Sequence, residues 1–530
     1  MKGGMMRTPL TVPALLERAA TLFGNKAVVS AGEEGCVRLS WRGVRDRAWA
    51  LAAGLPTLGV GDGDRVASLA WNSHRHLELY FGVPAAGSVL LTANVRLSTE
   101  QVTRILAHAG ARVVFADPEF VPLVEEAEGG LPFSVRKVAL DGTGPEGWLP
   151  YEELLASAAA PAHLPELDED AAAGLCYTSG TTGEPKGVLY SHRAMVLHTL
   201  AISLPDGFGL GEPDVILPAV PMFHANAWGL VHAAAMTGAT LVLPGARPSA
   251  RRLATLMEEE RVTFAAGVPT VWMGVLDELR RRPRALSPRL RIHSGGAPTA
   301  PSLLEAYRTE LSVEILAGWG MTELTPVGLV CHPRGEMAAW TPEELLPVRT
   351  AQGMPLPFVE ARLTDAEGAP VPPDGKTPGE LEVRGPWVTA GYFRAPSPDA
   401  FRDGWFRTGD VATQDERGYV RLVDRTKDLI RSGGEWISSV QLEHALVEHP
   451  AVAEAVVVAV PDARWGERPV ACVALRHDMA ATWEEILGSL AGRFPKWWIP
   501  DRVVFINAVP RTSTGKYDKR ALREWFRREG

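Results

Sequence analysis

The chain has 530 residues, 46% hydrophobic and 22% charged, which is ordinary globular usage with ample apolar material for sizeable cores. That length excludes a single small module and suits about three domain-sized masses, or fewer large ones. A net charge of -9, from 54 basic and 63 acidic residues, argues against a protein whose main business is wrapping nucleic acid or coating an anionic membrane.

Only nine of the basic residues are lysines, at positions 2, 26, 137, 186, 376, 427, 496, 516 and 519. Lysine is a compact point charge suited to roles a planar guanidinium fills poorly, so each one invites a question. Four cysteines, Cys36, Cys176, Cys331 and Cys472, lie far apart without a CxxC pair, which indicates neither a disulfide framework nor a zinc site. A reducing, cytoplasmic setting is the expectation. The N-terminal stretch MKGGMMRTPLTVPALLERAA lacks an apolar core before a small-residue cleavage site, so no secretory signal is read.

In chain order, Arg65 to Ala70 reads as a strand, His76 to Ala86 as a helix, Val89 to Thr92 as a strand, Thr99 to Ala109 as a helix and Val113 to Ala116 as a strand. That α/β rhythm returns with strands expected at Val215 to Leu217, Thr240 to Leu243, Thr263 to Ala266 and Arg291 to Ser294. From Val215 to Ala246 there is no Asp, Glu, Lys or Arg, long enough to cross a bilayer. Three prolines and several glycines interrupt it, so a buried wall around a site is expected instead. Between 350 and 425 short strands and turns predict a β-rich subdomain. After Asp424 the β-branched runs Val452 to Val460 and Val470 to Leu475, joined by the polar turn DARWGER, precede a helix over Thr482 to Arg493, a strand at Val503 to Ile506 and a basic terminal helix. These predict a separate α+β domain of about 100 residues.

The strongest local pattern is Tyr177-Thr-Ser-Gly-Thr-Thr-Gly-Glu-Pro-Lys186-Gly187, directly after the apolar Ala171 to Cys176. Glycines let backbone N–H groups approach an anion closely, hydroxyls add donors, and a lysine supplies a point charge for phosphate. It is not a Walker A element, because Pro185 and Gly187 stand where that motif needs Gly and Ser or Thr.

This loop resembles the phosphate loop of the adenylate-forming superfamily, which includes acyl-CoA synthetases, luciferases and peptide-synthetase adenylation domains. Further matching segments follow in order: PMFHANAW at 221 to 228, SGGAP at 294 to 298, GWGMTE at 318 to 323, RTGD at 407 to 410, DRTKDLIRSGGEWIS at 424 to 438 and RTSTGK at 511 to 516. The SGGEWIS ending is most similar to medium- and long-chain fatty acyl-CoA synthetases. The resemblance implies a large layered α/β domain with a β-rich subdomain over residues 1–424, and a small mobile α+β domain over 425–530, with the hinge about 424–431.

The resemblance also distributes roles. Thr178, Ser179, Gly180, Thr181, Thr182, Gly183 and Lys186 would hold ATP phosphates. Gly295, Gly296 and Ala297 would approach the adenine, on which Trp319, between Gly318 and Gly320, would stack; family members often carry Tyr there, and the hydroxyl contact is then lost. Thr322 would touch the α-phosphate, and Glu323 with Thr178 would hold Mg²⁺, which favours one or two carboxylates plus substrate oxygens. Asp410 would accept both ribose hydroxyls, Arg425 would reach the ribose, and Lys427 would be the pivot. Arg431 and Trp436 join the nucleotide contacts, Arg431 standing where close relatives carry a second lysine. Lys516 is implied as the catalytic lysine that bridges nucleophile and leaving pyrophosphate. His224 and Gly318 would meet the acyl carboxylate end, Trp228 is a candidate gate or wall of the acyl tunnel, with a packed core tryptophan the rival reading, and Gly433 with Gly434 would admit the pantetheine arm of CoA.

The expected activity is ATP-dependent ligation of a fatty acid to CoA through an acyl-adenylate, with domain rotation between half-reactions. Rivals are an aryl- or branched-acid ligase, acyl transfer to a carrier protein, and a noncatalytic acyl or nucleotide sensor. GxSxG and HExxH are absent. No nucleic acid and no transmembrane segment are expected; the resemblance is compatible with a homodimer and with transient membrane contact.

Overall fold

The computed structural model describes residues 3–32, 35–157, 164–178, 186–425, 427–433, 435–512 and 517–529. Its elements follow from local chemistry. In the helix Thr99–Ala109, Val102, Ile105, Leu106 and Ala109 recur at helical spacing and are buried, Ser98 and Gln101 form a reciprocal capping box, and Gly110 ends the helix in the left-handed conformation. Each such large side chain withdrawn from water contributes about 1.5–3 kcal/mol.

Among the described residues, two mostly parallel sheets form the large body. One has nine strands in the spatial order Met354–Pro355, Val327–Val330, Glu314–Gly320, Arg291–Ser294, Phe264–Gly267, Val215–Pro218, Thr240–Leu243, Ala27–Ala31 and Cys36–Ser40. The other has seven: Trp148–Pro150, Arg136–Ala139, Val113–Ala116, Arg65–Leu69, Val89–Thr92, Ala172–Thr178 and Lys186–Ser191. Helices cover their faces, and the helix His74–Ala85, buried except for Arg75, packs its apolar residues into the largest apolar cluster. A five-stranded antiparallel sheet built on Gly379–Arg384 and Trp405–Gln414 forms the β-rich subdomain. A second five-stranded sheet, centred on Val452–Asp462 and Gly466–Leu475, forms the small C-terminal α+β domain with its own core.

The charge-free stretch is not one helix. It comprises the strand Val215–Pro218, the helix Leu230–Thr237 and the strand Thr240–Leu243. No helix among the described residues is long and apolar enough to cross a membrane.

Three expectations are corrected. The helix foreseen over Thr482 to Arg493 covers only Trp483–Gly488, capped by Thr482 and Glu485, because Gly488 and then Gly492, at φ 77°, do not continue it. The DARWGER turn is mostly strand: the hairpin continues to Asp462 paired with Gly466, where Asp462 Oδ1 accepts the N–H groups of Arg464 and Trp465 and closes a tip of three residues. The helix foreseen from His76 starts at His74, because the Ser73 hydroxyl accepts from His76 N and caps it two residues earlier.

The connection between the two domains is held by polar contacts. Asp424 ends the strand Val420–Arg425, and its Oδ2 accepts 2.9 Å from Ser439 N and also from the Ser439 hydroxyl, at the start of the helix Ser439–Val447. Lys519 Nζ lies 2.7 Å from Glu443 Oε1 and donates to Ser439 Oγ, while Arg523 pairs with Asp428 at 2.6 Å. Burial works against the Lys519 charge, but the carboxylates of Glu443, Asp424 and Asp428 outweigh it and raise its pKa.

Candidate active site

Four of the motif segments follow the C-terminal ends of the strands Ala172–Thr178, Val215–Pro218, Arg291–Ser294 and Glu314–Gly320, the edge at which open α/β sheets bind ligands. Ala172–Thr178 pairs antiparallel with Lys186–Ser191, and Thr178 stands opposite Lys186. Both ends of the hydroxyl-rich loop are thereby positioned. Ser179, Gly180, Thr181, Thr182 and Gly183 lie outside the described residues, as do Gly434 and Lys516.

From Glu314–Gly320 the chain runs into Thr322 and Glu323, both buried. The Thr322 carbonyl accepts 2.6 Å from the Tyr190 hydroxyl, and Glu323 Oε1 accepts 2.7 Å from the Tyr392 hydroxyl. Lys186 Nζ sits 4.9 Å from the centre of the Tyr392 ring. Burial raises the Glu323 pKa, opposed by the Tyr392 hydroxyl and the charges of Arg425 and Lys186. A buried carboxylate under that strain, beside a hydroxyl and a lysine, fits a site that takes a divalent cation with phosphate oxygens. Tyr392 carries none of the motifs and was not foreseen. Only its three-dimensional place between Lys186 and Glu323 reveals it.

Asp410 is 3% exposed. Its Oδ2 accepts 2.7 Å from the Trp319 indole N–H, and its Oδ1 lies 3.1 Å from Arg425 Nε. Asp410 and Arg425 face each other across neighbouring strands. A carboxylate has about four lone-pair sites, so two remain for vicinal hydroxyls. Trp319 has no phenolic hydroxyl to offer, and its indole N–H makes a bond of its own to the carboxylate.

Along PMFHANAW the backbone is unusual. Ala225, Asn226, Ala227 and Trp228 have φ of 43°, 56°, 48° and 57°, and Gly229 follows at 79°. Left-handed backbone costs roughly 1–2 kcal/mol per non-glycine residue, and such strain collects at ligand sites where surrounding structure over-determines it. Here burial of Ala225, Ala227 and Trp228 offsets it. His224, half-buried, precedes the turn. Trp228 is 8% exposed and meets His293 edge-on at 5.5 Å, with Phe208 on the other side of the imidazole at 4.5 Å. Trp228 is therefore packed into the apolar core of the large domain against His293. A Cβ on Gly318 would fall 2.4 Å from His293 Cε1, so glycine there lets the imidazole sit between strands. A Cβ on Gly295 would stand 3.4 Å from the Trp228 ring. The segments carrying Gly295 and Trp228 thus pack against each other, and the Pro298 carbonyl beyond Ala297 accepts a hydrogen bond from His444 of the small domain.

The remaining expected contacts sit on the small domain. Arg431 and Trp436 face each other across a hairpin with the guanidinium 4.2 Å from the ring centre, and Gly433 donates its N–H 2.8 Å to the Trp465 carbonyl. Lys427 lies between the strands Val420–Arg425 and Ile430–Ser432, and Gly320 ends the strand Glu314–Gly320.

Comparison with known proteins matches the family described as AMP-binding enzyme over residues 16–393 and the AMP-binding enzyme C-terminal domain over residues 441–516. A long-chain-fatty-acid–CoA ligase of Thermus thermophilus is 48% identical over 527 residues, spanning 99% of this chain and 97% of that protein. A 3-methylmercaptopropionyl-CoA ligase of Ruegeria pomeroyi is 43% identical, spanning 99% of each. Among solved structures, the anthranilate CoA ligase AuaEII in complex with anthranoyl-AMP superimposes with a TM-score of 0.90 at 25% identity, covering 100% of this chain and 99% of that one.

Proposed function

Because the chain belongs to the AMP-binding enzyme family, we propose that it is an ATP-dependent fatty acid–CoA ligase. The carboxylate of a fatty acid attacks the α-phosphorus of ATP, forming a carboxylate–phosphorus bond and releasing pyrophosphate. The CoA thiol then displaces AMP to give the thioester. The observation that carries the reading is the buried Asp410, bonded to Trp319 and paired with Arg425, whose charge also bears on the buried Glu323. This arrangement supports one ligand with a ribose, phosphates and an apolar acyl group.

Within it, Asp410 holds the ribose hydroxyls and Trp319 flanks the adenine against Gly295, Gly296 and Ala297. Thr178, Thr182 and Lys186 cradle phosphates with Ser179, Gly180, Thr181 and Gly183, and Thr322 contacts the α-phosphate. Mg²⁺ would be held by Glu323 and Thr178, where it neutralises phosphate charge. His224 and Gly318 orient the carboxylate, Trp228 walls the acyl chain, and Lys516 stabilises charge that builds during attack. Residues 425–530 would turn about 424–431, with Lys427 as pivot, so that Lys516 withdraws and Gly433 and Gly434 line the thiol's path. We place the protein in the cytoplasm, where its four free thiols stay reduced, as a homodimer.

A second reading, an aryl or branched acid, draws support from the cluster of rings formed by Trp228, His293 and Phe208, edge-on and tilted to one another, which fits a flat ring as well as a chain. A carboxylic-acid panel scored for AMP release with and without CoA separates them. Fatty acids of eight to eighteen carbons should drive CoA-dependent release, and preference for benzoate or cinnamate would overturn the fatty reading.

A further inference from the structure

Beyond the strand Gly379–Arg384 of the β-rich subdomain, residues 387–394 run between two parts of the large body and bond to both. On one side, the Trp387 carbonyl accepts 2.8 Å from the Thr325 hydroxyl, the Trp387 indole N–H donates 3.3 Å to the Val327 carbonyl, and Thr389 N donates 2.8 Å to the Glu323 carbonyl. On the other, Phe393 bridges Gly187 antiparallel and donates its N–H 2.8 Å to the Gly187 carbonyl. The Phe393 ring meets His108 edge-on at 5.7 Å, His108 Nδ1 lies 2.6 Å from the Tyr177 hydroxyl, and Arg394 donates 3.2 Å to the His108 carbonyl. Tyr177 and Gly187 face each other beside the Thr178 and Lys186 pair, so one stretch of chain secures both strands that lead into the hydroxyl-rich loop.

Half-buried Tyr392 belongs to this stretch and reaches in both directions. Its hydroxyl donates 2.7 Å to Glu323 Oε1, and its ring centre lies 4.9 Å from Lys186 Nζ. The backbone spacing of the two partners is set separately, because Tyr190, on the Lys186–Ser191 strand, donates 2.6 Å to the Thr322 carbonyl. Tyr392 therefore governs where the two charges point rather than how far apart their segments lie. Glu323 is buried and feels the Lys186 charge, and where water is scarce an ammonium and a carboxylate free to move are drawn into a direct pair. A neutral phenol between them takes one lone pair of the carboxylate, and its ring face costs the ammonium none of its three donors.

We propose that Tyr392 is a positioning residue that keeps Lys186 and Glu323 apart in the nucleotide-free protein, so that a phosphate and its divalent cation enter between them without first breaking an ion pair. The inference rests on the ligase reading, in which Lys186 meets phosphate and Glu323 the cation. A direct Lys186–Glu323 pair would cancel both charges and would have to open before a polyanion could bind. Holding the two side chains in their ligand-ready places removes that ordering cost.

Tyr392→Phe removes the hydroxyl and keeps the ring, whereas Tyr392→Leu removes both contacts. Equilibrium dialysis of α,β-methylene-ATP, whose α–β bridge is not cleaved, at saturating Mg²⁺ and without it, reads nucleotide binding without turnover. Tyr392→Phe should weaken binding at saturating Mg²⁺ roughly tenfold, as for loss of a charged hydrogen bond, and leave Mg²⁺-free binding close to wild type. Tyr392→Leu should weaken Mg²⁺-free binding as well, roughly threefold to thirtyfold, because Lys186 then turns to Glu323. In a Glu323→Gln background no such pair forms, so adding Tyr392→Leu should leave Mg²⁺-free binding nearly unchanged. KM for ATP in acid-dependent pyrophosphate exchange should follow the dialysis order, with KM for the acid unchanged. An equal cost of Tyr392→Leu in both backgrounds, or a lowered melting temperature with unaltered nucleotide binding, would show a purely structural tyrosine and overturn the proposal. The predicted binding pattern in a protein that activates no acid would leave the positioning role standing and bring down the ligase reading.

Discussion

Replacing Trp319 with phenylalanine removes one N–H and keeps an aromatic ring. In the folded protein that N–H donates 2.7 Å to Oδ2 of a carboxylate that is 3% exposed, so solvent has little access to replace it. Hydrogen bonds to charged groups contribute about 1.5–3 kcal/mol, and a carboxylate freed on one side rotates away from the geometry in which it can meet two hydroxyls. At 1.4 kcal/mol per decade this corresponds to a rise in KM for ATP of roughly tenfold to a hundredfold. Arg425 still holds Oδ1 at 3.1 Å, which favours the lower end. Acid-dependent exchange of pyrophosphate into ATP, titrated with ATP at saturating fatty acid, measures it directly. Trp319→Tyr should lose less than Trp319→Phe, because a phenol can still donate. Equal KM values for wild type and Trp319→Phe, with only the melting temperature lowered, would show that the indole serves packing alone and refute the ribose argument.

Trp228→Ala should shift the preferred acyl chain length while KM for ATP stays within about twofold, because Trp228 packs against His293 and Gly295 rather than Asp410; an unchanged acyl profile would retire its role in the wall. Lys519→Met strands Glu443 without its partner and should cost about 3–5 kcal/mol of small-domain stability, whereas adding Glu443→Gln should recover most of it. Denaturation of the two variants checks this, and a double variant no more stable than the single would contradict it. Six buried histidines are held below their usual range chiefly by burial: His198, His232 and His293 to about 3, and His74, His76 and His192 to about 4. Below about pH 6.5 the unfolded chain takes up protons that the native one refuses, so their contribution is complete above that pH and is lost as pH falls towards 4. Asp117 and Glu443, raised by burial to about 6 and about 7, work the other way. The histidines outnumber these carboxyls, so stability should fall as pH drops below about 6.5, and urea midpoints that do not move between pH 7 and pH 5.5 would contradict it.

The parts of the fold written in local periodicity were legible. Val89–Thr92, Thr99–Ala109 and Val113–Ala116 match their expected bounds, because alternating burial and helical spacing are properties of a short window. The helix after Thr482 was misjudged because its apolar residues continue past the glycines that end it. Motif order exposed Asp410, Glu323 and Trp319, yet not the indole-to-carboxylate bond, which joins residues 91 positions apart. Tyr392 was invisible for the same reason: it acts by converging with partners from distant segments, and no spacing along the chain encodes that. The lysine scarcity retains its point, since Lys186 stands opposite Thr178 where the strand pair opens, while Lys519 ties the final helix to Glu443 in a role composition did not suggest.

The account's central claim is that a carboxylate oxygen attacks the α-phosphorus. Fatty acid labelled with oxygen-18 in its carboxylate, turned over with ATP and CoA and analysed by mass spectrometry, tests it most directly. AMP should carry one labelled oxygen and pyrophosphate none; label in inorganic phosphate, with ADP as the nucleotide product, would contradict the account.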